Sequence, residues 1–283
     1  MRNNKFKTAV IQLDSRVDEG ENLAQIQKYL SEAAAEGIQL AVLPETADYI
    51  GKELKEHAKE VPGGISEFFS GEAKKYGIYL HGGSITMKNP GGNPYNTSLF
   101  YLPDGGLLGK YSKLHMFDVD IADGLSQRES RNVCPGNEIV LMQTRLAVFG
   151  LAICYDLRFP ELFKVMADQG AEVLILPANF TNTTGAAHWE TLLRARAIEN
   201  TCYVIACGQC GEKEAFTAHG HSMVISPWGE VLADAGTSPG YVVAEIDLDY
   251  LADVRKRIPS LRNSRKDMYH LEGKHLHIYK ECE

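Results

Sequence analysis

Two segments of the chain, SLFYLPDGGLL at 98–108 and SMVISPWGEVL at 222–232, read as one hairpin written twice. Ser98 matches Ser222, Pro103 matches Pro227 and Gly105 matches Gly229, all at one offset of 124 residues. The strands before them, starting at Tyr79 and Tyr203, keep that offset. Pro and Gly recur in turns for steric reasons alone, so one matching hairpin says little. Two elements in step constrain the whole chain. They predict two similar halves, each a sheet with covering helices, packed sheet against sheet as a four-layer α-β-β-α sandwich in the α/β class. LAVLPE at 40–45 and VLILPA at 173–178 correspond more loosely.

Strand and helix patterns alternate almost from end to end, as such halves require. A strand is expected over 7–13 and a helix over 22–36, with Leu23, Ile26, Leu30 and Ala33/Ala34 on one face and Gly37 at its cap. A short strand over 40–43, a helix over 65–76, a strand over 78–82 and the first hairpin (96–101 and 107–111) follow. The second half repeats the order: a strand ending at Cys154, a helix over 160–169, a strand over 172–176, a helix near 186–200 and a strand over 202–207. No Pro/Gly/Ser-rich linker divides the chain, so residues 1–283 are read as one domain. The tail from about 259 (PSLRNSRKDMYHLEGKHLHIYK) has weak periodicity and is expected to pack on a neighbouring subunit.

Bulk properties exclude several classes. A chain of 283 residues buries enough core to need no disulfide or metal staple. Its net charge of −8 is spread along the sequence, which argues against nucleic acid or an anionic membrane as partner. MRNNKFKTAVIQLDS lacks the apolar stretch of a signal peptide, and no apolar run approaches the roughly 18 residues that span a bilayer. Six cysteines without an export signal suggest free thiols in a reducing compartment. A soluble, cytoplasmic protein is expected.

Chemistry gathers at strand ends. In RLAVFGLAICYDLRFPE (145–161) an apolar run ends at Cys154, a polar turn follows, and Pro160 can open a helix. This strand–sharp turn–helix layout is that of a nucleophile elbow. Glu45 lies just past LAVL, Lys113 just past the hairpin strand LLGKYSK, Asn179 and Phe180 past VLILPA, and Glu129 in the irregular stretch DGLSQRES. Each alone reads as an ordinary buried cysteine or solvated loop residue. Together they offer a nucleophile, a proton carrier and a cation for an oxyanion.

PETAD (44–48), KYSKLHMFD (110–118), CYDLRFPE (154–161) and NFTNTTGAAHWE (179–190), in that order, closely resemble the nitrilase superfamily of carbon–nitrogen hydrolases. The resemblance runs from VIQLD at 10–14 to IPSLRNSRKDMY, and KLHMFDVDI, TTGAAHWE and GHSMVISPWGEVLADAG are most similar to its omega-amidase branch. It implies the αββα sandwich, a homodimer or larger assembly, no cofactor and no metal. It also implies a Glu45–Lys113–Cys154 triad with Glu129 as a second glutamate of the site.

By that resemblance Glu45 carries the proton of Cys154 and then activates water, while Lys113 and the Tyr155 backbone N–H hold the oxyanion. The substrate implied is a small linear ω-amide of a dicarboxylic acid, such as 2-oxoglutaramate, cut to acid and ammonia through a thioester. Its far carboxylate would want an arginine or a nest of donors. Tyr49, Phe117, Arg131, Arg158, Asn179, Phe180 and Thr181 are the candidates by position, with Arg158 equally able to pair Glu161 or Asp156. His188 and Trp189 read as packing anchors. CGQCG at 207–211 resembles deaminated-glutathione amidases instead, and a nitrilase or N-carbamoyl amidohydrolase would use the same triad. A cysteine–histidine protease lacks its local signatures. A metal protein using Cys202, Cys207 and Cys210 has plausible spacing, but a separation of five puts Cys202 and Cys207 on opposite faces of a strand.

Overall fold

Alternation along β1 (Lys5–Gln12) sets the layering. Phe6 and Val10 join one buried cluster, while Ala9 and Ile11 join another, because successive side chains of a strand point to opposite faces. The computed structural model describes residues 4–120 and 126–282; the first residues of MRNN and of DGLSQRES, and the end of KLHMFDVDI, lie outside them. The helix α1 (Glu19–Ala35) starts where Asp18 accepts from Glu21 N at 3.0 Å and ends before Gly37, whose φ of 72° favours a residue without Cβ. Then come β2 (Leu40–Val42), the short α2 (Leu54–His57), α3 (Gly64–Tyr76), β3 (Tyr79–His81), β4 (Ile85–Met87), β5 (Tyr95–Tyr101) and β6 (Leu107–Ser112). Helices α1 and α3 cover the face that carries Ala9 and Ile11.

A two-stranded ribbon, β7 (Asp118–Asp120) and β8 (Ser126–Arg128), leads into the second half. There β9 (Ile139–Gln143), β10 (Val148–Leu151), α4 (Pro160–Asp168), β11 (Val173–Ala178), α5 (Asn182–Asn200) and β12 (Tyr203–Gly208) follow one another. A second ribbon, β13 (Cys210–Glu212) with β14 (Thr217–His219), precedes β15 (Met223–Ile225), β16 (Val231–Asp234), β17 (Gly240–Asp247), α6 (Leu248–Arg257) and β18 (Leu276–Lys280). The long helix begins at Asn182 rather than near 186, since Thr181 caps it by accepting from Thr184 N.

The strands form two seven-stranded sheets, β17-β1-β2-β3-β5-β4 with β6 on β5, and β16-β15-β12-β11-β10-β9-β18. The sheets meet face to face through rings such as Phe149, which lies 6.3 Å from Phe6 and 5.4 Å from Phe100. The duplication is present and goes beyond the hairpins. In one sheet β17–β1 is antiparallel, β1–β2–β3 parallel and β3–β5–β6 antiparallel. In the other, β9–β10, β10–β11–β12 and β12–β15–β16 repeat that pattern. Val42 pairs with Val10 and His81, as Ile175 pairs with Leu151 and Ile205. Both hairpins even bulge at matching places, Phe100/Tyr101 and Val224/Ile225.

The halves are interlaced, however: the edge strand of the first sheet, β17, comes from late in the chain. The tail also differs in part from expectation. β9 leaves an open edge, and β18 fills it in parallel within the same chain, with Tyr279 over Gly109 and Glu281 accepting from Tyr79 Oη at 2.8 Å. Residues 262–272 stay largely exposed. Among the described residues no helix is long and apolar enough to cross a membrane.

Candidate active site

The carboxyl ends of β2, β10 and β11 converge with the end of β6, and their loops surround a cleft of about 930 Å³. Glu45 arrives directly after Pro44 at the end of the strand continuing β2. Gly83 makes this possible: at φ 64° it presses its backbone against Pro44 O, where any Cβ would collide. Lys113 follows β6. Cys154 opens a tight 3₁₀ turn (Cys154–Arg158) between β10 and α4, at φ 50°. A side chain in the left-handed region is uncommon and strained, as expected for a residue lifted out of a sheet. The elbow inferred from sequence is therefore present, with a 3₁₀ turn where the polar turn was expected.

Lys113 is fully buried and sits between two carboxylates. Its Nζ donates to Glu45 Oε1 at 3.1 Å and to Glu129 Oε1 and Oε2 at 3.0 and 2.9 Å. Burial alone would lower its pKa; the charges of Glu129 and Glu45 overcome that and hold it well above the ordinary lysine value. Glu45 also accepts from Asn96 Nδ2 at 2.8 Å, and its backbone oxygen accepts from Gln209 Nε2 at 2.9 Å. Glu129 is anchored by Phe117 N at 2.6 Å. Burial raises the Cys154 thiol well above its usual pKa, and the Glu45 carboxylate raises it further, while Lys113 and the backbone of Asn179 pull it down. The thiol thus lies against Glu45, placed to take its proton. A buried thiol, a carboxylate base and a fixed cation can together perform attack on a carbonyl, proton transfer and oxyanion stabilisation.

Of the other residues expected from sequence, Phe117, Tyr155, Arg158, Asn179, Phe180 and Thr181 line the cleft. Tyr49 and Arg131 do not. Tyr49 is buried and stacked on His57 at 3.8 Å, and Arg131 lies exposed while its backbone oxygen accepts from Asn93. Arg158 pairs with neither Glu161 nor Asp156; it contacts His188 Nδ1 at 3.4 Å and stands over the rings of Tyr155 and Phe180. Trp189 is an anchor, donating to His221 O at 2.7 Å. The three candidate metal cysteines face different places: Cys202 donates to Ala171 O, Cys207 to Ile11 O and Cys210 to Leu13 O. Burial pushes Cys202 and Cys210 up to about 11 and Cys207 higher. That separation removes the shared-ligand geometry the metal reading needed. Among the described residues no group of His, Cys, Asp or Glu is placed to hold a metal ion.

Three residues of the site escaped the sequence reading. Asn96 is a polar residue on the buried side of β5, Gln209 ties Ser15 and Glu45 together, and Asp156 braces the elbow. A signal existed for Asp156 alone, as an acidic residue in the turn two positions past the cysteine.

Comparison with known proteins matches residues 7–256 to the carbon–nitrogen hydrolase family model. Omega-amidase NIT2 of Danio rerio is 42% identical over 268 residues, covering 94% of this chain and 96% of that protein. The protein of the same name from Homo sapiens is 40% identical, covering 95% and 98%. Among solved structures, the NitFhit protein of C. elegans superposes with a TM-score of 0.88 at 35% identity, covering 97% of this chain and 68% of that one. Nit3 of Saccharomyces cerevisiae gives 0.85 at 32%, covering 93% and 96%.

Proposed function

Because the chain belongs to the carbon–nitrogen hydrolase family, we propose that its cleft is an omega-amidase site releasing ammonia from a small ω-amide with a distal carboxylate, 2-oxoglutaramate being the model substrate. One observation carries the choice. Among the described residues Arg158 is the one cleft-lining cation without a carboxylate partner: Arg16 and Lys213 are held by Asp14, Lys52 by Glu214, Arg128 by Asp120 and Lys113 by its two glutamates. A single uncompensated guanidinium beside the nucleophile favours a substrate with one free carboxylate.

In this reading Glu45 takes the Cys154 proton as sulfur attacks the amide carbon. Lys113 and the Tyr155 N–H, an orphan donor of the first turn, hold the oxyanion. Glu45 returns the proton to the departing ammonia, then deprotonates water, which cleaves the thioester to the free acid. The absence of disulfides among the described cysteines fits a reducing, cytoplasmic setting. Exposed apolar side chains at Ile198, Trp228, Leu232 and Ile258 support a homodimer or larger assembly.

The volume of the cleft favours a second reading, a deaminated-glutathione amidase, since a five-carbon amide leaves much of it unfilled. Ammonia release from 2-oxoglutaramate, succinamate and deaminated glutathione, with Cys154→Ala as blank, separates the two. Cys154-dependent release from the small amides supports the omega-amidase; release from the tripeptide alone transfers the function, and silence on all three removes both.

A further inference from the structure

Asp156 has no part in the mechanism above, yet it is fully buried between the nucleophile and the lysine strand. Its Oδ2 accepts from Ile153 N at 2.8 Å and from Tyr111 Oη at 2.6 Å. Its Oδ1 accepts from His115 N at 3.0 Å and meets His115 Nδ1 at 2.7 Å. Ile153 immediately precedes Cys154. Tyr111 and His115 flank Lys113 two residues to either side. One carboxylate thus grips the elbow with one oxygen and the lysine segment with both.

The neighbouring contacts make the grip directional. The next alternate amide, Phe117 N, is held by Glu129, which also holds Lys113 Nζ. His115 is further fixed by stacking on Phe159 at 3.6 Å, at the far end of the elbow. Residues 111–117 are therefore clamped along their length, and Asp156 is the clamp that reaches across to Cys154, a residue whose strained backbone needs an outside partner to persist.

We propose that Asp156 is a positioning residue that sets the separation of Lys113 from Cys154, an inference that rests on the Glu–Lys–Cys reading of the site. Two fixed donors, the Ile153 and His115 amides, face its two oxygens separately. An asparagine must therefore turn its NH₂ toward one of them, whichever way its amide lies, and one arm of the clamp opens.

The test compares Asp156→Asn and Tyr111→Phe with wild type, after confirming by circular dichroism that each is folded. Two readouts are used: amide turnover, and the pH profile of Cys154 alkylation by iodoacetamide followed at the level of its peptide. Cys154 faces Glu45 and Lys113, and a drifting Lys113 stabilises the thiolate less. Asp156→Asn is expected to move the alkylation profile to higher pH and to lower kcat/KM about 10–100-fold, as small misplacements do. Tyr111→Phe should give a weaker version of both. On a Lys113→Ala background Asp156→Asn should cost little more, because the two act through one contact. Unmoved profiles with unmoved turnover, or full additivity with Lys113→Ala, overturn the proposal. If Asp156→Asn does not fold, Tyr111→Phe decides by the same criteria. A wild type that alkylates but releases no ammonia from any amide sinks the amidase reading instead, and the alkylation comparison still decides this one.

Discussion

At the scale of single residues the site is a set of compensated charges around one thiol. Cys154→Ala should fold with an unchanged melting temperature and lose ammonia release to background; a variant that keeps most of its turnover would remove the thioester route. Lys113→Ala leaves the buried Glu45 and the half-buried Glu129 without their cation, so it should both destabilise the fold and cut kcat by roughly 10²–10³, measured on the folded fraction. Arg158→Ala should raise KM for 2-oxoglutaramate about 10-fold or more and leave KM for a neutral amide unchanged. Equal effects on both amides would deny Arg158 its carboxylate. Glu45, Lys113 and Cys154 were legible in the sequence because each follows a strand with a recognisable end, whereas Glu129, in an irregular stretch, came only through the family resemblance. Tyr49 and Arg131 were misplaced because nearness to a motif in sequence says nothing about which way a loop residue turns. Asp156 and Gln209 act through bonds to backbone groups far along the chain, which no local pattern records.

At the scale of elements, what matters is how loops are held against strand ends. Gly83→Ala puts a Cβ into Pro44 O at a positive φ, so it should shift Glu45 as well as weaken the fold by about 1–3 kcal/mol. Turnover should therefore fall further than the loss of folded protein explains, as urea melts run beside the assay would show. The C-terminal strand offers a second test. Removing residues 276–282 takes away the partner of β9 within its own sheet, together with the ring over Gly109 and the acceptor of Tyr79 Oη, which tie that sheet to the other. The truncated chain should melt well below wild type and aggregate through its open edge. Light scattering that matches wild type through the melt would contradict this. The sequence told strands from helices well where periodicity was long, and missed β18 because a five-residue edge strand with mostly exposed side chains carries no hydrophobic alternation. Helix α5 starts early for a similar reason: its cap, Thr181, sits in a polar run that reads as loop.

At the scale of the whole molecule two buried titratable groups oppose each other. Burial pushes Asp48 up to about 7 from 3.8, and burial lowers His81 to about 3 from 6.5. Between about pH 4 and 7 the folded chain keeps a proton on Asp48 that the unfolded chain has released, so stability falls as pH rises. Between about pH 3 and 6.5 the unfolded chain protonates His81 and the folded chain does not, so stability falls as pH drops. The two slopes, each at most about 1.4 kcal/mol per pH unit, largely cancel in the overlap. Asp48→Asn should expose the acid-side loss and His81→Ile the opposite one, seen as melting temperatures over pH 4–8; parallel profiles for both variants would refute it. His81 also shows what duplication does and does not dictate. Its counterpart in the second sheet is Ile205, and the apolar surroundings suit that residue, leaving both imidazole nitrogens without a hydrogen-bond partner among the described residues. The general architecture could be inferred from a repeated hairpin, whereas the interlacing by β17 could not, since nothing local says which sheet an edge strand will join. The same correspondence of registers locates a second set of seats: Leu13, Ala178 and Thr237 stand where Cys154, Glu45 and Lys113 would be repeated. Every chain is thus a catalyst built twice and loaded once: its second set of strand ends carries a leucine, an alanine and a threonine where the first carries the reacting groups.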